Sequence, residues 1–325
     1  TMLAGTVSSR IKMTPTETTL NDDSKDLDFR VETNGNANML FVDGGNDKIG
    51  INNGSPARQL HITDTIANGG ASLGLTSSDS STTGSMGILH FGNSTDSSLA
   101  SIGAIADGAT DSGALLFKTE ATGGSIEERF RISSDGSLST PTLGTSNVRF
   151  GVNAGNSIIS GGNYNTFVGD EAGTAQTEGD NNVALGYGAF KTSTTGYHSV
   201  AIGVNAGDAV TTAGQNVLIG YDSGTTLTTG GDNTAVGDRS FKLATTASTN
   251  VAIGGVALEN TTTATNNVAV GWGSLRANTT GSNNTAVGKD AGNDITTGVR
   301  NTLIGAAAGD ALTDADYNVA LGYDS

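Results

Sequence analysis

One phrase recurs ten times between Asn165 and Gly322 at a constant spacing of 17 residues: Asn, Thr or Val, a mostly small residue, an aliphatic residue and Gly. The closing glycines are Gly169, Gly186, Gly203, Gly220, Gly237, Gly254, Gly271, Gly288, Gly305 and Gly322. An offset copy, Asn147-Val148-Arg149-Phe150-Gly151, stands 18 residues before the first. A fixed short period sustained over half a chain marks a solenoid, because one copy cannot bury its apolar side alone and a stack of copies can. The spacing therefore predicts a parallel β-solenoid over 142–325. With one strand layer per copy at ~4.8 Å, the ten steps from Gly151 to Gly322 make a rod of about 48 Å. The period leaves open whether each layer belongs to one chain or is shared among intertwined chains.

The copies form their own alignment. In Asn182-Val183-Ala184-Leu185-Gly186, Val183 and Leu185 point to one side of a strand and Ala184 to the other. The first side is branched or aliphatic in nearly every copy (Thr234 and Val236, Val251 and Ile253, Thr302 and Ile304), and the second is mostly Ala, with Phe167, Leu218 and Leu303 as exceptions. The expectation is that the branched side packs an interior and the Ala side lets a neighbour, such as another chain, approach closely. Four residues past each closing glycine stands either Gly (Gly173, Gly207, Gly224, Gly292, Gly309) or a large residue (Phe190, Phe241, Leu258, Leu275). Three residues later the sizes invert: Val210, Leu227, Ile295 or Leu312 follow Gly, whereas Ser193, Ala244, Thr261 or Asn278 follow the large residue, with Gln176 the lone exception. Close packing penalises an empty slot and a doubly filled one alike, so one interior slot per coil is filled from either position. Two threonine ladders follow, one from Thr177 to Thr313 and a neighbouring one from Thr195 to Thr297. Their alternation predicts one ladder facing inward and one outward. The Asn column, interrupted once by Ser199, is expected to stack its amides along the axis.

Composition agrees with a thin core. The 325 residues include 48 Gly, only 3 Pro and no Cys, and 35% are hydrophobic. Gly, Thr, Ser, Asn and Ala suit turns and small-residue strands. The net charge of −16 argues against phosphate-driven nucleic-acid binding and favours solubility. Absence of cysteine excludes a disulfide scaffold and thiolate metal sites. Thr1-Met2-Leu3-Ala4-Gly5 is too short and polar for a signal peptide, and no apolar run approaches 18 residues, so neither export signal nor membrane insertion is expected. The chain starts without Met and stops inside a repeat at Ser325, as expected of a fragment of a longer protein.

Pro15, Pro56 and Pro141 are plausible joints, dividing the chain into an N-terminal β module at 1–57, a second β-rich module at 58–141 and the solenoid. In the first, Leu27-Asp28-Phe29-Arg30-Val31-Glu32 alternates as a half-buried strand, Asn34-Gly35 turns, and Met39-Leu40-Phe41-Val42 returns. Asp43-Gly44-Gly45-Asn46 turns again before Lys48-Ile49-Gly50-Ile51, completing a small meander. The second module has strand-like runs at Gly87–Phe91, Ser101–Ile105, Ala114–Phe117 and Arg129–Ile132, with a helical turn expected near Ser125-Ile126-Glu127-Glu128.

The run Asp28–Glu32 through Asn36–Asp43, with Ile49-Gly50-Ile51 and Ser55-Pro56, resembles shaft segments of tailed-phage tail fibres, most closely those of aquatic and marine phages. So do Gly113–Phe117 and Glu128–Gly136, and the likeness covers most of residues 27–141. The repeats are similar to the β-roll head of trimeric autotransporter adhesins, although the period here is longer than is usual in that family. These resemblances imply a homotrimeric, fibrous, surface-exposed protein that attaches one particle or cell to another. The expected function is a structural virion appendage, acting as a stiff spacer and host-surface attachment protein. Its partners would be other virion tail or capsid proteins and a host cell-surface glycan or protein. The alternatives are a bacterial trimeric surface adhesin or extracellular filament subunit, and a polysaccharide-degrading tailspike.

Residues that could carry chemistry are sparse, and neither a catalytic nor a cofactor-binding or metal site is expected. His61, His90 and His198 are isolated, with no carboxylate at ligand spacing. Glu127-Glu128 reads as a solvated pair, and Gly186-Tyr187-Gly188 and Gly288-Lys289 lack the remaining glycines of a phosphate loop. Asp170, Asp208, Asp222, Asp290 and Asp310 fall near coil turns, but the Gly-Gly-x-Gly-x-Asp calcium signature is absent, so solvated turn carboxylates are expected. The adjacent threonines split across faces, so the ladders are read as stabilising the stack in preference to binding ice. Tyr187, Tyr197, Tyr221 and Trp272 are candidate glycan-stacking surfaces, and the same aromatics would equally serve to cover coil edges.

Overall fold

A computed structural model describes residues 11–13, 18–20, 28–34, 36–63, 71–76, 84–109, 112–140 and 144–325. Thr1–Gly5, Pro15, Leu27, Gly35 and Pro141 lie outside the described residues. Every regular element described is a β-strand. The chain divides into two compact units, Thr1–Thr76 and Ser77–Ser325.

In the first unit, β1 (Ile11–Met13) and β2 (Thr18–Leu20) pair antiparallel. The predicted meander is present as β3 (Phe29–Thr33), β4 (Asn36–Asp43) and β5 (Lys48–Ile51), with Val31 opposite Leu40 and Leu40 opposite Ile51. A fourth strand, β6 (Leu60–Ile62), adds parallel to β5, so this sheet runs past the joint placed at residue 57.

The second unit begins with a five-stranded antiparallel meander, β7 (Ser85–Phe91), β8 (Ala100–Ala106), β9 (Gly113–Glu120), β10 (Ile126–Ile132) and β11 (Leu138–Ser139). The helical turn expected at Ser125–Glu128 is instead the start of β10, where Ile126 pairs with Glu120 and Glu128 with Lys118. The charged residues there sit across from polar partners on the neighbouring strand. Arg131 and Ser134 bind Asp107 at 2.6 and 2.9 Å. Hydrogen bonds from Ser134, and then from Arg131, hold the Asp107 carboxyl below the usual carboxylate range.

From Val148 onward the repeats stack as one parallel sheet of 11 three-residue strands, each contributed by one copy of the phrase and paired with the next without a register shift. The layers are thus coils of a single chain. Backbone bonds also join the coils outside the strands, for example Thr211 N–H to the Thr228 carbonyl and Phe241 N–H to the Ala257 carbonyl. Each closing glycine has φ between 129 and 142° from Gly169 onward, and a Cβ at Gly254 would overlap the carbonyl of Gly271 one rung on. The constant glycine therefore allows the coils to approach to strand-pairing distance at the corner.

The strand faces are the reverse of the expectation. Ala184, Ala201, Ala235, Ala252, Ala269 and Ala286 are completely buried, as are Phe167, Leu218 and Leu303 in the same column. Val183 and Leu185, with their equivalents, face outward. A 17-residue coil encloses so narrow an interior that small side chains belong inside and branched ones outside.

Volume compensation holds, and it involves three positions. The coil with Phe167 has Gly173 and Gln176; that with Leu218 has Gly224 and Leu227; that with Ala235 has Phe241 and Ala244, all buried. Phe167 explains the Gln176 exception, since a Cβ at Gly173 would lie 2.7 Å from its ring. Compensation also crosses rungs: above Gly207, the space is filled by Phe190 from one coil and Leu218 from another, which a Cβ would meet at 2.7 and 2.8 Å. Phe190, Phe241, Leu258 and Leu275 hold the same left-handed φ, 49–56°, that the glycines of their column adopt. At the first rung Arg149 takes the inward column and donates from Nε to the Ala154 carbonyl at 2.6 Å, with burial lowering its pKa.

Two polar ladders run the length of the stack. From Asn147 to Asn301, each side-chain oxygen of the Asn column accepts the backbone N–H of the equivalent residue one rung later, at 2.8–3.1 Å. Ser199 continues the chain through its hydroxyl oxygen, which accepts from Asn216 N–H at 3.1 Å. The Asn amide nitrogens donate mainly to carbonyls at the end of their own coil, as Asn182 does to Gly196. Some also reach the neighbouring Asn oxygen, as Asn250 does to Asn233. From Thr177 to Thr296 each hydroxyl donates to the carbonyl of the next Thr, at 2.9–3.2 Å. This ladder is half-buried at the corner, not fully inward, while the column from Thr195 to Thr297 is exposed.

Candidate functional site

What the coils present to solvent follows from what they enclose. The outward strand face carries two columns, one from Thr166 to Val319 and one from Val168 to Leu321, and sixteen of their twenty members are Val, Ile or Leu. Ile253 and Ile304 are each 40% exposed and Leu185 44%. In the meander of the same unit, Leu89, Ile102, Phe117 and Phe130 pair across strands and so share one face, with Leu89 and Ile102 exposed. Phe130, Leu138, Thr140, Val148 and Phe150 line a cavity of about 210 Å³ between that sheet and the first rung.

A second surface is the turn edge just past the closing glycines. It carries salt bridges that climb from rung to rung: Glu171 to Lys191 at 2.6 Å, Asp222 to Lys242 at 3.2 Å, and Glu259 to Arg276 at 2.8 Å and Arg239 at 3.5 Å. Asp222 and Glu259 are buried and so depend on these partners. Asp208 is half-buried near Lys191, and burial pushes its carboxyl above the usual value. Asp290 pairs with Lys289 at 3.5 Å. Among the described residues no three His, Asp or Glu side chains gather as a metal site would require.

The four aromatics divide. Tyr197 lies flat across Gly214, where a Cβ would meet three ring atoms at 2.7–2.8 Å, and His198 packs against its ring. It therefore covers a coil edge. Tyr187, Tyr221 and Trp272 instead occupy one column, immediately after the closing glycines of their coils, and each is at least half exposed.

Of the histidines, His61 bonds through Nδ1 with the Asn53 amide at 2.9 Å, and His198 serves Tyr197. Glu127 and Glu128 lie on β10, where Glu128 stands 3.7 Å from Arg131. Sequence reasoning missed the outward apolar strip, although its signal was present as the unbroken column of branched residues. No helix among the described residues is long and apolar enough to cross a membrane. Comparison with protein-family models, curated proteins and solved structures gives no match, so the surfaces described here are what bear on function.

Proposed function

We propose that this chain is a structural subunit of a surface fibre, a phage tail fibre or similar virion appendage, in which three copies assemble side by side. The solenoid then serves as a stiff spacer, the N-terminal side joins other virion tail or capsid proteins, and an exposed part meets a glycan or protein on the host surface. The reading assigns no catalytic role, no nucleic acid and no membrane insertion.

The observation that carries it is the apolar strip on the outer face of the strand ladder. Soluble monomers rarely expose contiguous apolar patches beyond a few hundred Å². Three such strips meeting along an axis would remove them from water. Because every copy has the same 17-residue rise, chains in register would set equivalent rungs against one another along the whole length. The resemblance of the meander segments to tail-fibre shafts supports the virion setting. The similarity of the repeats to adhesin heads supports a second reading, a bacterial trimeric surface adhesin or filament subunit, with the same assembly.

The test is sedimentation equilibrium of the full chain at micromolar concentration. The expected mass is three times that of one chain. The double variant Ile219→Glu with Ile253→Glu, placed outside the coil interior, should retain the β-sheet circular dichroism and sediment as a monomer. A monomeric parent protein, or a double variant that remains trimeric, refutes the assembly through this face.

A further inference from the structure

We infer that the turn edge past the closing glycines is a carbohydrate-binding strip, with Trp272 and the notch over Gly255 as its main subsite for a neutral hexopyranose. This deepens the attachment reading above, which provides its setting; the geometry stands apart from it.

The columns that hold the coils together are uniform, whereas the column just past the closing glycine varies in size and charge. It contains Tyr187, Tyr221, Asp238, Gly255, Trp272 and Lys289. Tyr187, Tyr221 and Trp272 are 50, 54 and 51% exposed. A ring held at a coil edge only to cover it would have its faces enclosed, as a packed aromatic does. These rings instead keep half their surface in water.

The notch is local. Gly255 stands one rung before Trp272 and has no side chain, so the edge opens between Asp238 and Trp272, about two rungs or ~10 Å apart. A Cβ at Gly255 would lie 3.1 Å from Cδ1 and 3.5 Å from Nε1 of Trp272, so the pyrrole edge of the indole borders the opening. On the other side Lys289 places Nζ 5.7 Å from the ring centroid, which helps to fix the ring. At the far wall, Arg239 donates from Nε to Asp238 Oδ2 at 3.2 Å. That leaves Asp238 Oδ1 as an acceptor and the guanidinium nitrogens as donors.

An aromatic surface beside a convergent acceptor and donors suits a pyranose, whose C–H face is apolar and whose rim is hydroxyls. Asp238 and Arg239 cancel in charge, and the chain as a whole carries −16, so an acidic polysaccharide would be repelled. Hence the neutral class. Tyr221 and Tyr187 extend the strip toward the first rungs, so a longer glycan would lie along the rod axis.

Trp272 is the only tryptophan in the chain, so its fluorescence reports on this site alone. The full-length chain is titrated with cellohexaose, maltohexaose and α-1,6-mannohexaose, with a hyaluronan hexasaccharide as the acidic comparison. The expected result is a blue shift and protection from acrylamide quenching by at least one neutral hexasaccharide in the about millimolar range, and none by hyaluronan. Asp238→Ala should weaken binding by roughly tenfold, consistent with the loss of a charged hydrogen bond. In ligand-observed NMR, Trp272→Ala should abolish it with the melting temperature unchanged. Unchanged quenching with all three neutral sugars, or NMR binding that survives Trp272→Ala, overturns the site. A trimer that ignores the sugars would refute this inference and leave the fibre reading intact; a monomer that binds them would do the converse.

Discussion

Inside the coils, packing is controlled by single side chains. In the coil built on Ala235, Phe241 occupies the space that Leu218 and Leu227 share in the coil before it. Phe241→Ala should therefore lower stability by about 3–5 kcal/mol in urea titration, the usual cost of truncating a buried aromatic. Adding Ala244→Leu should recover part of that loss. Equal midpoints for the single and double variants would refute a shared slot. Two of the three positions that fill the slot were readable from the inverse sizes at Phe241 and Ala244. The third, on the strand, was not, because a column of alanines beside a column of valines suggests that the larger residues are inside. That rule holds for thick cores and fails for one only a few side chains wide. Gln176 was the one visible sign, since its polar side chain could stand in the slot only if Phe167 already filled it.

At the level of the element, the strands are three residues long and could not persist alone. What holds each against the next includes the Asn column, whose oxygens satisfy buried N–H groups between coils. Asn250 shows the double role: its oxygen accepts from Asn267 N–H at 3.0 Å and its amide donates to the Ala264 carbonyl at 2.9 Å. Asn250→Ala should cost about 1–3 kcal/mol for each buried group left without a partner. Asn250→Ser, which keeps an acceptor as Ser199 does, should cost distinctly less. Thermal unfolding of the three proteins measures the difference, and equal losses for Ala and Ser would contradict the ladder's role. The column was visible in the repeats, but its wiring was not, because bonding to the backbone of the next rung depends on the exact rise. β6 escaped notice for a different reason: Leu60-His61-Ile62 is too short to show alternation, and its pairing partner β5 lies nine residues earlier in the chain.

For the molecule as a whole, a stack in which each coil touches only its neighbours has no redundancy along its axis. The Ser199 rung differs from the rest: the hydroxyl passes the ladder on, but it has no amide to offer the Ala213 carbonyl, the counterpart of the Gly196 and Gly230 carbonyls that Asn182 and Asn216 bind. Tension applied to the two ends of such a chain is felt equally at every joint, so rupture begins where the joint is weakest. Single-molecule pulling should accordingly show the first yielding event near Ser199, and Ser199→Asn should move it to higher force. A tether anchored at one end and gripped at the other would then have its breaking point set by one missing amide group.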